Sequence, residues 1–227
     1  MIQLFNVTKS YGPGADALRG VSLDIRKGEF VFLIGPSGAG KTTLMRLVYR
    51  EELPTSGHVV IDGRNIERLS ASRVPYLRRS VGVVFQDFKL IESRTVAENV
   101  AFALRVTGAP DAEVNDKTRA ALELMGLRHK ANLYPSQVSA GEKQRTCIAR
   151  ALVNDPAILI TDEPTGNLDP ELALDIMRVF MEINNRGTTV LMATHNHQLV
   201  EQFGRRVVHL VAGRIISDEN RTVKEAA

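Results

Sequence analysis

The sequence has few of the features that mark a secreted or membrane-spanning protein. Its 227 residues include one cysteine, Cys147, which excludes an intrachain disulfide and a cysteine-based zinc cluster. The longest apolar runs, such as 30–34, have the length of a core strand and fall short of the ~18 residues that a membrane span needs. The N-terminus lacks the charged start and long apolar stretch of a signal peptide. We therefore expect a cytoplasmic protein.

The chain also has little excess charge. A formal net charge of +3 is too small to indicate a nucleic-acid partner, and we expect none. Hydrophobic residues make up 44% and charged residues 24%, which is typical of a globular protein. We predict one domain over residues 1–222, with a helical subdomain inserted at about 93–155 and a polar tail at 217–227.

The hydrophobic pattern changes along the chain. Residues 4–7 and 18–25 alternate between apolar and polar like half-buried strands. Residues 29–35, EFVFLIG, form a continuous apolar run, as in a strand covered on both faces of a sheet. From about residue 95, apolar residues three and four apart predict helices. Strands that alternate with helices favour an α/β fold with a parallel sheet.

Residues 35–42, GPSGAGKT, fit the phosphate-loop pattern G-x-x-x-x-G-K-[ST] between a predicted strand and a predicted helix. Glycines let backbone N–H groups surround an anion, and the helix N-terminus adds a favourable dipole. Lys41 is expected to reach the β- and γ-phosphates and Thr42 to bind Mg²⁺. The predicted nucleotide-binding residues here are Gly35, Pro36, Ser37, Gly38, Ala39, Gly40, Lys41, Thr42 and Thr43.

A second predicted strand, AILITDEP, ends in two carboxylates, Asp162 and Glu163. A carboxylate at the end of a strand beside a phosphate loop can bind Mg²⁺, and Asp162 fits that role. Glu163 is the candidate general base for the water that attacks the γ-phosphate. The alternative for this pair is two surface turn residues before Pro164.

Three further side chains follow predicted strands. Gln86 can contact Mg²⁺ or the attacking water, although a lone glutamine also serves as a polar strand cap. His195 can hydrogen-bond the γ-phosphate. Tyr11 can stack on adenine, and a buried tyrosine at a strand end is the alternative. We expect Thr42, Gln86, Asp162 and His195 to converge on one site.

Taken together, these residues resemble the nucleotide-binding domain of ABC ATPases. The motifs that carry the resemblance, in chain order over most of the sequence, are Tyr11, 35–42, Gln86, 138–145 (VSAGEKQR), 158–164, 166–169 (GNLD) and His195. The resemblance implies a P-loop NTPase fold with a mixed core sheet, an N-terminal antiparallel β-subdomain and an inserted α-helical subdomain. It also implies ATP and Mg²⁺ as cofactors and ATP hydrolysis as the activity.

The resemblance further implies that the segment 138–145 serves a second copy of the chain. In this family two subunits pack head to tail, so that Ser139 and Gly141 of one contact the γ-phosphate bound by the other. The family pattern is Leu-Ser-Gly-Gly-Gln, and this chain departs from it at Val138, Ala140 and Glu142. Ala140 is the sharpest departure because alanine disfavours positive φ. We expect an ordinary helical backbone there, with weak to moderate ATPase activity.

One long segment, SRVPYLRRSVGVVFQDFKLIESRTVAENV, resembles the FtsE branch of bacterial cell-division ABC ATPases. That branch implies an FtsX-like integral membrane partner, activation of septal peptidoglycan hydrolysis, and a peripheral place on the cytoplasmic side of the membrane. The alternatives are the ATPase of a lipoprotein-release or MacB-type exporter, of an importer or of another ABC transporter that moves a substrate, a non-transport ABC protein, and a nucleotide-binding scaffold. Residues 88–93 either form the partner's groove or pack inside the helical subdomain.

Overall fold

The computed structural model describes residues 1–166 and 168–220. Within these ranges, ten strands form two sheets, and seven α-helices connect or cover them. The strands are β1 Ile2–Ser10, β2 Asp16–Ile25, β3 Phe30–Ile34, β4 Ser56–Ile61, β5 Arg64–Asn65, β6 Val81–Val84, β7 Ile158–Asp162, β8 Thr189–Ala193, β9 Arg206–Val211 and β10 Arg214–Glu219. The helices are α1 Lys41–Val48, α2 Val74–Arg79, α3 Val96–Arg105, α4 Asp111–Leu124, α5 Ala140–Leu152, α6 Pro170–Asn185 and α7 His197–Phe203. None of these helices is long and apolar enough to cross a membrane.

The larger sheet has the strand order β10-β9-β3-β8-β7-β6. The five strands from β9 to β6 are parallel to their neighbours, and β10 pairs antiparallel with β9. The predicted mixed core sheet is therefore confirmed. Because the parallel strands end at the same edge, the residues that follow β3, β6, β7 and β8 lie along one side of the sheet.

Strand β3 explains why its sequence is a continuous apolar run. All five of its residues are buried. Phe30, Phe32 and Ile34 belong to one hydrophobic cluster, which includes residues of α3, α5 and α6. Val31 and Leu33 belong to the other, which includes α1 and the smaller sheet. Both faces of the core sheet are thus covered, as in other parallel sheets.

The smaller sheet, of order β2-β1-β4-β5, is antiparallel throughout. Ile2, Leu4 and Val7 on β1 are buried, while Phe5 between them is half exposed. Ile2 and Leu4 follow the period of two expected for a sheet with one face on the core, and a register shift between Leu4 and Val7 then moves the buried position by one residue. The predicted N-terminal antiparallel β-subdomain is confirmed.

Helices α3, α4 and α5 pack against one another between strands β6 and β7. Thr95 begins α3 with a capping box: its hydroxyl accepts the Glu98 N–H and the Glu98 carboxylate accepts the Thr95 N–H. These helices fall within the predicted range 93–155, and the division into a core and a subdomain stays a prediction.

The structure differs from the sequence analysis in its short elements. Helices α2 and α7 have six and seven residues, too few to show a helical period, and were not predicted. Strand β10 runs to Glu219, so residues 217–219 of the predicted polar tail form part of a strand. Asp218 is held there because its two carboxylate oxygens accept from the Arg206 guanidinium at 2.7 Å each. The remainder of the predicted tail, 221–227, lies outside the described residues.

Candidate nucleotide-binding site

The phosphate loop at 35–42 links β3 to α1, and its glycines are needed for steric reasons. Gly35 (φ 153°) and Gly40 (φ 106°) have positive φ. A Cβ at Gly35 would lie 2.0 Å from the carbonyl oxygen of Leu210, and one at Gly40 would lie 2.4 Å from that of Ala17. No real side chain tolerates such distances. The loop therefore takes this shape only with glycine at both positions.

Lys41 is the first residue of α1 and folds back over the loop. Its ammonium donates hydrogen bonds to the carbonyl oxygens of Gly35 at 2.7 Å and Pro36 at 3.1 Å. The lysine is 9% exposed, whereas Ser37 and Gly38 beside it are exposed. A positive charge thus lies at the centre of a turn that is open to solvent, which is the arrangement that an anion requires.

Asp162 at the end of β7 contacts the same helix. The Thr42 hydroxyl donates to its Oδ2 at 2.9 Å. Burial raises the pKa of Asp162, while the Thr42 hydrogen bond and the nearby Lys41 charge act in the opposite direction. Gln86, which follows β6, lines a cavity of about 400 Å³ together with Thr42 and Asp162. Hydroxyl, amide and carboxylate oxygens therefore border one space.

Glu163 and His195 form the next pair along this edge. His195 Nδ1 lies 2.9 Å from Glu163 Oε2, and the His195 backbone N–H donates to the same oxygen at 3.3 Å. The Glu163 side chain is 12% exposed and that of His195 is 70% exposed. Glu163 has φ 51°, and its N–H donates to Ala193 O at 3.0 Å at the end of β8. A strained backbone thus aims a shielded carboxylate beside an accessible imidazole.

Tyr11 lies in the turn after β1 and is 52% exposed, so it is not the buried strand-end tyrosine of the alternative interpretation. Its hydroxyl donates to Glu52 Oε1 at 3.0 Å and lies 3.5 Å from Thr43 Oγ1. The aromatic ring is therefore tied to the loop that follows α1 and to the phosphate-loop helix itself.

The serine-bearing turn at 138–145 begins helix α5. Ser139 is the N-cap, and its hydroxyl accepts the Glu142 N–H at 3.3 Å. The Glu142 carboxylate accepts the Ser139 N–H at 2.8 Å and pairs with Lys130 at 3.3 Å. Gly141 is buried, and a Cβ there would meet the Leu172 side chain at 2.6 Å. The glycine thus lets the start of α6 pack against the start of α5.

Asp169 is the N-cap of α6, which packs against the start of α5. Its carboxylate caps α6 by accepting the Leu172 N–H at 3.0 Å. Within the predicted segment 166–169, Asn167 lies outside the described residues. The exposed Ser139 and the capped start of α6 lie on neighbouring elements.

Sequence reasoning missed how the segment after Gln86 is held. Phe88 (φ 55°) and Lys89 (φ 49°) are consecutive left-handed residues. Arg150 on α5 donates to the carbonyl oxygens of both, and the Cys147 thiol donates to Phe88 O at 3.0 Å. Burial lowers the pKa of Arg150 and raises that of Cys147 to about 12. Phe88 and Leu90 are partly buried against the larger hydrophobic cluster, which supports packing rather than a free groove.

Comparison with known proteins decides the family. A sequence model of the ABC transporter family matches residues 18–166. The chain belongs to the ABC transporter family. Among curated members, it is 48% identical to the cell division ATP-binding protein FtsE of Bacillus subtilis, over 97% of both chains. It is 51% identical to FtsE of Mycobacterium tuberculosis, over 98% of this chain and 97% of that one.

Solved ABC structures agree with this fold. The protein superimposes on a dimeric bacterial ABC transporter cassette with a TM-score of 0.88 and 38% identity, covering 97% of this chain and 98% of that one. A dimeric post-hydrolysis cassette bound to ADP and Pi gives a TM-score of 0.87 and 37% identity at the same coverage. The predicted ABC ATPase fold is therefore confirmed, while the roles of the individual site residues stay predictions.

The departure of this ABC chain at Ala140 has a local explanation. Ala140 is the first residue of α5, follows an extended N-cap (Ser139 φ −66°, ψ 165°), and is not among the residues with positive φ. The expected helical backbone is confirmed, so the alanine methyl causes no strain. The Glu142 departure also fits, because glutamate completes a capping box with Ser139.

Ala140→Gly should therefore leave ATP-driven dimerisation within about two-fold of wild type. The only cost expected is that of glycine in a helix, a loss of up to about 1 kcal/mol in the free energy of unfolding. Analytical ultracentrifugation with ATP, in the hydrolysis-deficient Glu163→Gln background, measures the first quantity, and urea unfolding measures the second. Several-fold tighter dimerisation of Ala140→Gly would contradict this explanation.

Proposed function

We propose that this protein is the ATP-binding and ATP-hydrolysing subunit of a bacterial cell-division complex. It drives an FtsX-like integral membrane partner, at the cytoplasmic side of the membrane, to activate septal peptidoglycan hydrolysis. The observation that carries the chemistry is the Glu163–His195 pair beside the Thr42–Asp162 contact. The cell-division role is supported by 46–51% identity, at nearly full length, to cell division ATP-binding proteins.

The oxygen atoms at the cavity suit a magnesium ion. Thr42, Gln86 and Asp162 offer a hydroxyl, an amide and a carboxylate, and Mg²⁺ prefers such oxygen ligands. None of the ion pairs in residues 1–166 and 168–220 includes Asp162, so a partly buried carboxylate with a raised pKa has no cation in direct contact. Bound Mg²⁺ would neutralise charge on the β- and γ-phosphates. Thr42 and Asp162 would hold it, with Gln86 at the open side.

The side chains around the cavity have separate proposed roles in ATP hydrolysis. Lys41 leaves its loop carbonyls to bind phosphate oxygens, and the loop N–H groups surround the β-phosphate. Glu163 accepts the proton of the water that attacks the γ-phosphate, giving ADP and phosphate. His195 fixes the Glu163 carboxylate through Nδ1 and directs its exposed face towards the γ-phosphate. The exposed imidazole is therefore positioned to respond to the presence of that phosphate.

ATP is proposed to join two copies of the chain head to tail. Ser139 accepts the Glu142 N–H, so its own hydroxyl hydrogen is free to donate to a phosphate oxygen. Ser139 is exposed, and no described hydrogen bond or ion pair of residues 138–145 reaches the phosphate loop of the same chain. A symmetric dimer offers the two surfaces to each other twice. Dimeric relatives of the same fold support this arrangement.

The membrane partner is proposed to dock in a groove at the free edge of the core sheet. The groove has a volume of about 400 Å³ and lies between α2, β6, α3 and α5. Its lining includes the apolar Phe102 and Val106 and the basic Arg78 and Arg79. Apolar and basic side chains along one groove suit a short amphipathic segment that carries acidic residues. Arg150 lines the same groove and donates hydrogen bonds to the carbonyl oxygens of Phe88 and Lys89, in the segment after Gln86. It therefore connects the groove to the segment beside the cavity that Gln86 lines.

Two matched substitutions test this docking site. Val106 in the groove is 61% exposed and Ile216 on β10 is 60% exposed, so either can become glutamate without entering the core. Val106→Glu should reduce co-purification with the co-expressed FtsX-like protein at least about ten-fold, because a charge is placed at the centre of an apolar contact. Ile216→Glu should have no effect.

The wild-type result tests the biological role separately. Failure of the wild-type protein to co-purify with its FtsX-like partner in the presence of ATP would contradict the cell-division proposal. Equal losses for Val106→Glu and Ile216→Glu would contradict only the place of docking.

A further inference from the structure

Glu52 contacts both Tyr11, which is predicted to stack on adenine, and Lys9. It lies in the loop after α1, with its side chain 19% exposed. One carboxylate oxygen accepts the Tyr11 hydroxyl at 3.0 Å, and the other pairs with Lys9 Nζ at 2.6 Å. The Lys9 and Tyr11 hydrogen bonds lower the pKa of Glu52, so it is held as a carboxylate. A single acid thus joins the turn after β1 to the loop after α1.

Lys9 places a positive charge over one face of the Tyr11 ring. Its ammonium is fixed by Glu52 and by the carbonyl oxygen of Leu53 at 3.0 Å, and it lies 5.0 Å from the centroid of the Tyr11 ring. A cation over a ring is attracted by the negative face of the π-system. One face of the ring is therefore covered by a fixed charge, and the exposed remainder of Tyr11 is available for stacking.

An untethered surface tyrosine rotates between several conformers and loses that freedom when a base stacks on it. Ordering a side chain on binding opposes the affinity gained from the contact. Here the Tyr11 hydroxyl is held at one end by Glu52, and Thr43 lies 3.5 Å from it. Much of that ordering is already complete before the nucleotide arrives.

We propose that Glu52 is a positioning residue for the nucleotide base. It holds the Tyr11 hydroxyl and fixes Lys9 against one face of the ring, which makes Tyr11 a preorganised platform with one open face. The inference rests on the proposed ATP-binding function and on the prediction that Tyr11 stacks on adenine, and it assigns the adjustment of that contact to an acid outside every motif described above. Glu52 acts through Tyr11, so it should affect nucleotides with a base and leave a bare triphosphate unaffected.

Calorimetric titration of the full chain with Mg-ATP and with Mg-tripolyphosphate tests this prediction. Tyr11→Ala should weaken ATP binding about ten-fold or more, and Glu52→Ala about three- to ten-fold, since stacking on an aromatic residue contributes ~1–3 kcal/mol per base. Tyr11→Phe, which keeps the ring and removes the hydroxyl, should resemble Glu52→Ala. Binding of tripolyphosphate should stay within two-fold of wild type in every variant.

A distant acid provides the control. Glu123 on α4 pairs with Arg128 at 3.4 Å and is 63% exposed, so Glu123→Ala should leave both affinities unchanged. The double variant Tyr11→Phe/Glu52→Ala should bind ATP no more weakly than the weaker single variant, because the two substitutions remove one shared hydrogen bond.

Additive losses in the double variant, or an equal loss of tripolyphosphate affinity in Glu52→Ala, would overturn the proposal, because Glu52 would then act on the loop structure as a whole. An unchanged ATP affinity in Glu52→Ala would overturn it as well. If Tyr11→Ala alone leaves ATP affinity unchanged, the failure lies in the proposed stacking role of Tyr11 itself.

Discussion

Glu163→Gln should lower the rate of ATP hydrolysis about 10²–10⁴-fold while ATP still binds. Glutamine has nearly the shape of glutamate and keeps an oxygen for the His195 N–H, but it cannot accept a proton from water. The Glu163 carboxylate is 12% exposed and lies 2.9 Å from His195 Nδ1, so the substitution removes a shielded base while keeping its hydrogen-bond partner. Phosphate release measures hydrolysis, and calorimetry with Mg-ATP measures binding.

The control for this substitution is Glu182→Gln on α6. Glu182 pairs with Arg186 on the solvent side and is 58% exposed, so its loss should leave hydrolysis within about two-fold of wild type. If Glu163→Gln hydrolyses ATP as fast as Glu182→Gln, Glu163 is not the general base. If the wild-type chain also binds ATP without turnover, the isolated subunit behaves as a scaffold and needs its membrane partner for activity.

The phosphate loop could be predicted from sequence because its conformation follows from local sterics. Gly35 and Gly40 occupy positions where any Cβ would collide with a carbonyl oxygen, so the glycines and the shape depend on each other. The apolar run of β3 likewise determines that both of its faces are covered. Strand order then brings Asp162 to Thr42, although 120 residues separate them.

The hydrogen bonds from Arg150 to the carbonyl oxygens of Phe88 and Lys89 could not be predicted in this way. The contacts join residues 61 and 62 positions apart, and they hold two non-glycine residues at positive φ, which local propensity disfavours. Neither the arginine nor the turn has a sequence signal of its own. Tertiary contacts from Arg150 and Cys147 add to the local Lys89–Asp87 contacts in holding this strained segment, and such segments are common near functional sites.

The capping role of Glu142 shows a different limit. The spacing Ser139–Glu142 matches a capping box, whereas the resemblance to the ABC family implies that Ser139 contacts a phosphate. The observed capping role of Ser139 is compatible with the proposed phosphate contact. The Ser139 oxygen accepts from its own helix, and its hydrogen stays available to a second copy.

Two inactive variants should regain ATPase activity when they are mixed, if each active site is built from two chains. Lys41→Gln removes the charge in the phosphate loop, yet its amide can still donate to the Gly35 carbonyl that Lys41 contacts. Ser139→Asp keeps a good helix cap but sets a carboxylate against the γ-phosphate. Each variant alone should lose about 10²–10³-fold in ATPase rate, the range found for removal of a group that stabilises charge in the transition state.

A head-to-tail heterodimer of these two variants contains one doubly defective site and one intact site. The intact site joins the phosphate loop of the Ser139→Asp chain to the serine-bearing turn of the Lys41→Gln chain. With random pairing at equal concentrations, about a quarter of all sites are intact, which sets the expected recovery when sites act independently. The control mixture pairs Lys41→Gln with Ser136→Asp, a substitution at an exposed position three residues before Ser139, and should keep about half of all sites intact. If the first mixture stays inactive while the control mixture keeps about half of the wild-type activity, every chain completes its own site and the composite site is contradicted.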